Sequence, residues 1–149
     1  MKSLFSATLL AAIAVTGTTT VQAAEADDAI KYRKKLMSIV GGSASTIGAI
    51  LKGEAGRKED LAGLAQILAA VSDPAMIDAA FEMNTDGQGS EKTTSTANIW
   101  SDWQGFTKIS ADFNKAALAA AAKGADVTFA EMKPVFATCK ACHSDFRKK

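Results

Sequence analysis

Residues 128–149 read TFAEMKPVFATCKACHSDFRKK, and this stretch decides how the chain is built. Thr128 and Glu131 stand three apart ahead of an apolar run, the capping-box pattern that opens a helix. Phe129, Met132, Phe136, Cys139, His143 and Phe146 then recur at helical spacing and form one seam. Inside that seam lies Cys139-Lys140-Ala141-Cys142-His143. Thiols at i and i+3 of a helix share a face, roughly 5–6 Å apart between Cβ atoms. Each thiol can form a thioether with one vinyl of a porphyrin, and Cys-x-x-Cys-His is the attachment pattern of c-type haem. His143 follows on the same side as Cys139 and is the proximal ligand of such a haem.

Two other chemistries use a Cys-x-x-Cys pair. A redox dithiol belongs near a βαβ pattern, and no strand pattern surrounds this one. A structural zinc site needs four ligands, and the chain holds two Cys and one His. Haem c, one per chain and covalent, is therefore the expected cofactor.

Working outward, 149 residues suit one domain, and a net charge of +1 gives no strong attraction to nucleic acid or anionic lipid. Lys2, the apolar run Leu4 to Val15 and Val21-Gln22-Ala23 have the form of a signal peptide. Residues 1–23 are accordingly read as a cleaved leader and 24–149 as the mature domain, exported to the periplasm if the source is a bacterium. No other apolar run is long enough to cross a bilayer, so no membrane attachment is expected after cleavage.

Four helices are predicted. The first runs from Asp27 or Asp28 to about Lys52, with Arg33, Met37, Val40, Ala44, Ile47 and Leu51 on its seam and Gly53 as its C-cap. The second covers roughly Lys58 to Val71 and is ended by Ser72-Asp73-Pro74. Residues 75–94 are the least regular, with at most a short amphipathic turn from Ala75 to Phe81 and a loop at Gly87-Gln88-Gly89-Ser90-Glu91. A crossover this long in a compact domain is often functional. The third helix spans about Ser95 to Lys123 with Ile99, Trp103, Phe106, Ser110, Phe113, Ala117 and Ala120 inward, and Gly124 stops it. The fourth is the haem helix. Pro134 should kink it, and Arg147 to Lys149 should close its last turn, where positive charge suits the dipole. Short links and amphipathic helices together predict an all-α antiparallel four-helix bundle.

With one His in the chain, bis-histidine ligation is impossible. The sixth position falls to Met, Lys, an outside molecule or nothing. Met37 is the candidate, because the start of helix one meets the end of helix four in an antiparallel pair. Arg33, one turn earlier on the same face, needs a buried partner, and a haem propionate would supply one in bidentate fashion.

Three stretches resemble the cytochromes c′ and their low-spin relatives, the cytochromes c-556. They are Ile30-Lys31-Tyr32-Arg33-Lys34-Lys35-Leu36-Met37 with Lys52-Gly53, Gly87-Gln88-Gly89-Ser90-Glu91 with Ile99-Trp100, and Cys139 to His143 with Phe146-Arg147-Lys148-Lys149. The resemblance implies that Cys139 and Cys142 carry the vinyls and that His143 is proximal. It also implies that Arg33, Lys34, Ser90 and Glu91 contact the haem and that Arg147 lies near the proximal His. Lys34 departs from the Gln common in cytochromes c′. In cytochromes c-556 a Met at the position of Met37 binds iron. In cytochromes c′ a bulky residue there leaves iron five-coordinate. The Lys-Leu-Met run and Gly48 to Glu54 look like the first group, the Gly-Gln-Gly-Ser-Glu loop like the second.

Two functions follow. One is electron transfer with His143 and Met37 as axial ligands, among redox partner proteins that a basic rim of Lys31, Lys34, Lys35 and Arg147 to Lys149 would steer. The alternative is a five-coordinate haem that binds nitric oxide or carbon monoxide. No second titratable cluster or nucleophile motif points to an enzyme. Cytochromes c′ are often homodimers through the first two helices and cytochromes c-556 often monomers, so both states stay open here.

Overall fold

The computed structural model describes residues 18–148. The leader assigned to residues 1–23 falls mostly outside them. Six α-helices are present among the described residues: α1 (Thr18–Lys52), α2 (Leu61–Val71), α3 (Pro74–Glu82), α4 (Asn98–Ser101), α5 (Trp103–Ala121) and α6 (Phe129–Phe146). The four long ones, α1, α2, α5 and α6, build an all-α antiparallel four-helix bundle, and α3 and α4 lie in the crossover from α2 to α5.

The seams fall largely where the periodicity puts them. Val40, Ala44 and Ile47 of α1, Leu61, Ala65, Leu68 and Ala69 of α2, Phe113, Ala117 and Ala120 of α5, and Met132 and Val135 of α6 make the main core with Val127. A second apolar cluster gathers Leu36, Ile77, Ala80, Phe81, Ile99, Phe106 and Phe146 at the end of the bundle that α3 and α4 cover. There Phe106 packs against Phe81, Trp103 and Phe146 with ring centroids 5.0, 5.3 and 5.4 Å away. Contacts of this kind add to area burial and fix ring orientation.

Four expectations are corrected. The first helix is already formed at Thr18, the first described residue, ahead of the expected Asp27 or Asp28, and no Gly or Pro interrupts the residues between. The second helix does end at Ser72-Asp73-Pro74, but a full helix and not a short turn follows: Asp73 accepts from the Ala75 N–H, Pro74 takes a first-turn position where its missing N–H costs nothing, and α3 runs on to Glu82. The third helix is broken at Asp102, whose backbone leaves the helical region (φ −123°, ψ 56°) so that its carboxylate can cap the Gly105 N–H and restart the chain as α5. Finally, α6 ends at Phe146. Arg147 is extended and bridges to Ser95 instead of closing the last turn.

That bridge matters for the haem motif. The Thr96 N–H donates to the Phe146 carbonyl, the Lys148 N–H to the Thr94 carbonyl and Asn98 Nδ2 to the Asp145 carbonyl. Residues 94–98 thereby satisfy carbonyls that the end of α6 would leave open. At its start, α6 has the capping box in full, with Thr128 accepting from the Ala130 N–H and Glu131 receiving the Thr128 N–H. Pro134 sits in the second turn and the helix continues through it. At the far end of α1, Gly53 (φ 72°) closes a Schellman turn through Gly53 N–H to Ile50 and Glu54 N–H to Ala49. Thr128→Ala should lower stability by about 1 kcal/mol, read in urea as a lower midpoint at unchanged slope.

Candidate haem-binding site

The packing of the bundle is uneven. α5 lies along α6, α1 along α2 and α2 along α5, whereas α1 and α6 meet only sparsely. Near the main core they come close at Gly48, where a side chain would lie 3.9 Å from the ring of Phe136. The sparse seam between them, here the slot, runs on toward the start of α1 and the end of α6, where the predicted site residues border the two apolar clusters. Cys139 packs against the main core and Cys142 against the second cluster, so the pair straddles the boundary between them. Met37 packs against both clusters from the α1 side. Among the other described methionines, Met132 is fully buried in the main core and Met76 and Met83 are each 38% exposed at the surface.

Both thiols are free and half-buried. Burial pushes the Cys139 thiol up, and burial with Cys139 and Asp145 nearby pushes Cys142 up to about 11, so both stay protonated at neutral pH. Partial burial, and secondly the charge of Arg147, lowers the His143 pKa. The neutral imidazole, the form that ligates a metal, is thereby favoured. Phe136 and Cys139 are half-buried and His143 is exposed, whereas Met132 and Val135 are fully buried.

Arg33 is buried, with 3% exposure. Its Nη2 donates to Thr85 Oγ1 at 2.5 Å, and its guanidinium lies 5.3 Å from the Phe81 ring centroid and 5.6 Å from that of Trp100. Trp100 is fixed in turn by its indole N–H, which donates to the Phe81 carbonyl at 2.7 Å. Arg33 Nε and Nη1 have no partner among the described residues. A buried cation with two unpartnered nitrogens is costly unless an anion meets it, and a carboxylate can accept a charge-assisted hydrogen bond from one of them. Together the slot, the straddling thiols and these unfilled donors fit a haem with a propionate toward Arg33.

The other expected contacts are brought together at the rim. Lys34 Nζ lies 3.3 Å from Glu91 Oε2. The Ser90 hydroxyl, which the resemblance turns toward haem, here donates to Asp27 Oδ2 at 2.8 Å, while the N–H groups of Ser90 and Glu91 donate to Asp27 Oδ1 at 2.6 and 2.8 Å. A side chain at position 89 would run into the same carboxylate, and φ there is +73°, so only glycine fits. Asp27 and Thr85 are the residues that sequence reading missed in these roles. An acid at a helix start reads as a cap, and nothing local marks Thr85 as the partner of a residue 52 positions away.

The family model described as Cytochrome C' matches residues 28–147. The chain belongs to the cytochrome c′ family. Among relatives, cytochrome c′ of Rhodospirillum rubrum is 34% identical over 144 residues, 93% of this chain and 95% of that protein. Cytochrome c′ of Rhodopseudomonas palustris is 35% identical over 131 residues, 82% and 83% of the two chains. Among solved structures, ferric cytochrome c prime from Alcaligenes xylosoxidans superposes with a TM-score of 0.70 at 27% identity, covering 83% of this chain and 96% of its own. Membership makes this a c-type haem protein.

The Ser90–Glu91 turn sets a pH test. The Glu91 N–H, then the Ser90 hydroxyl and N–H and the charge of Lys31, hold the Asp27 carboxyl below its ordinary 3.8. A depressed carboxyl stabilises the fold above its unfolded-state value and loses that contribution as pH falls through the folded one. Asp27→Ala should therefore be less stable than the parent at pH 5 to 7, with the gap closing below about pH 4. Urea unfolding of both proteins across that range measures it.

Proposed function

We propose that this protein is a periplasmic one-electron carrier with His143 and Met37 as the axial ligands of its haem. The observation that carries the reading is the position of Met37, the described methionine that packs against both clusters from the helix opposite Cys139 and Cys142. When bound, haem c supplies the one-electron couple, and a thioether ligand raises its potential by favouring the reduced form. The chain's own part is to hold the site. Cys139 and Cys142 anchor the vinyls, the half-buried Met37 side chain keeps water off the far face, and Arg33 neutralises a buried carboxylate that would otherwise carry an unpaired charge. Keeping both axial positions filled leaves no place for a substrate, which separates a carrier from an enzyme. Of the rim cations, Lys31 and Lys34 lie beside Asp28 and Glu91, so Lys35, Arg147 and Lys148 carry the positive charge that would orient an acidic redox partner. Cleavage after Ala23 would deliver the domain to the compartment in which c-type haem is attached.

A second reading has an observation of its own. Structures similar to this chain include nitric oxide complexes of variant cytochromes c prime from Alcaligenes xylosoxidans, with TM-scores of 0.67 and 0.69 at 28% and 27% identity. In that reading Met37 packs beside the haem without binding iron, and the far face takes nitric oxide or carbon monoxide.

The visible spectrum of the reduced protein separates the two. The carrier should show sharp low-spin bands that carbon monoxide leaves unmoved, and Met37→Ala should convert it to a high-spin form that binds carbon monoxide at once. A high-spin parent whose bands shift on adding carbon monoxide would establish the gas-binding reading instead.

A further inference from the structure

Residues 84–93 of the crossover are built unlike the rest of the bundle. They include no hydrophobic residue and form neither helix nor strand. Thr85 is the one buried side chain among them. Their two flanks are anchored in the second apolar cluster, by Ile77 and Phe81 of α3 on one side and by Ile99 of α4 on the other. The Trp100 indole N–H, donating to the Phe81 carbonyl, joins the two anchors. Residues 94–98 are bonded in turn to the end of α6.

Among the described residues, the hydrogen bonds and ion pairs that residues 84–93 make outside the crossover run to α1 alone. Asp27 accepts from the Ser90 hydroxyl and from the N–H groups of Ser90 and Glu91. Arg33 donates to Thr85, and Lys34 pairs with Glu91 at the surface. An exposed ion pair adds little, whereas bonds to an ionised carboxylate are about twice as strong as neutral ones. Asp27 is therefore the principal tie. A segment that buries almost no apolar surface opens at a lower free energy than the core. Both flanks can stay packed while it does so, because neither apolar cluster includes any of its residues. Opening takes Thr85 off Arg33, which is 3% exposed when the tie is made. We propose that residues 84–93 are a strap, latched by Asp27 and hinged at Phe81 and Ile99, which swings off the start of α1 with the bundle intact and so uncovers Arg33. The strap is independent of what fills the sixth iron position. That it also covers a haem carboxylate rests on the haem placement given above.

Amide hydrogen exchange of the haem-loaded protein at pH 7 tests the strap, read at the two N–H groups on Asp27 and, for the core, at Phe113 of α5. Thr128→Ala weakens the bundle at the start of α6 and leaves every contact of the strap in place. Exchange at Phe113 should then quicken about fivefold, while Ser90 and Glu91 keep the parental rate. Asp27→Asn takes the charge out of the latch, and Ser90 and Glu91 should exchange about tenfold faster. Phenylglyoxal, which labels accessible guanidinium groups, should modify Arg33 about tenfold faster in Asp27→Asn and at the parental rate in Thr128→Ala. Three results would overturn the proposal. In the first, Thr128→Ala speeds Ser90 and Glu91 as much as Phe113, so that the segment opens only with the whole bundle. In the second, Asp27→Asn leaves Ser90 and Glu91 unchanged. In the third, labelling of Arg33 does not follow their exchange, so that the strap does not cover it.

Discussion

The sparse contact between α1 and α6 is the constraint from which the rest follows. Four helices with Ala-rich faces would close on one another if nothing prevented it, and here three of the neighbouring pairs do pack along their lengths. The fourth pair, α1 and α6, meets only sparsely and borders both apolar clusters. Phe81, Phe106 and Phe146 fill the end of the bundle that α3 and α4 cover, while Val40, Phe113 and Met132 fill the middle. The slot is thus walled by two separate apolar clusters, and a flat ring system bonded to Cys139 and Cys142 would join them into one core.

Polar groups at the rim of the slot are arranged for an anion at one spot. Arg33 lies between two aromatic rings, where a weakly hydrated planar cation is tolerated better than an ammonium would be. Thr85 takes one of its N–H groups, and the nitrogens Nε and Nη1 have no partner among the described residues. The crossover from α2 to α5 therefore does more than connect helices. It supplies Thr85, Phe81 and Trp100 to the guanidinium, and its Ser90–Glu91 turn locks onto Asp27 at the start of α1. Residues 94–98 then hold the last carbonyls of α6, so the same crossover braces both helices that border the slot.

Much of this was legible in the residue order. Helical periodicity marked most of the seams of the first, third and fourth helices, and the Cys139 to His143 spacing named the cofactor. What local pattern could not reveal was how the crossover is used. Asp73-Pro74 carries a stop and a start in the same dipeptide, and only tertiary packing of Ile77 and Phe81 decides for the start. The break at Asp102 interrupts a seam whose periodicity runs through it, because one carboxylate cap outweighs one helical hydrogen bond. Long-range partners such as Arg33 with Thr85 and Asp27 with Ser90 have no signature in spacing at all. Phe129, expected inward from its place on the seam, is 45% exposed, since it precedes the point at which α6 meets its neighbours.

The account stands on a porphyrin bonded to Cys139 and Cys142 in the slot between α1 and α6. Intact-mass measurement of the exported protein, made in a host that attaches c-type haem, tests this most directly. The account requires the polypeptide plus one haem, with no thiol left to alkylate. A colourless protein of polypeptide mass alone, with both cysteines open to alkylation, would contradict it.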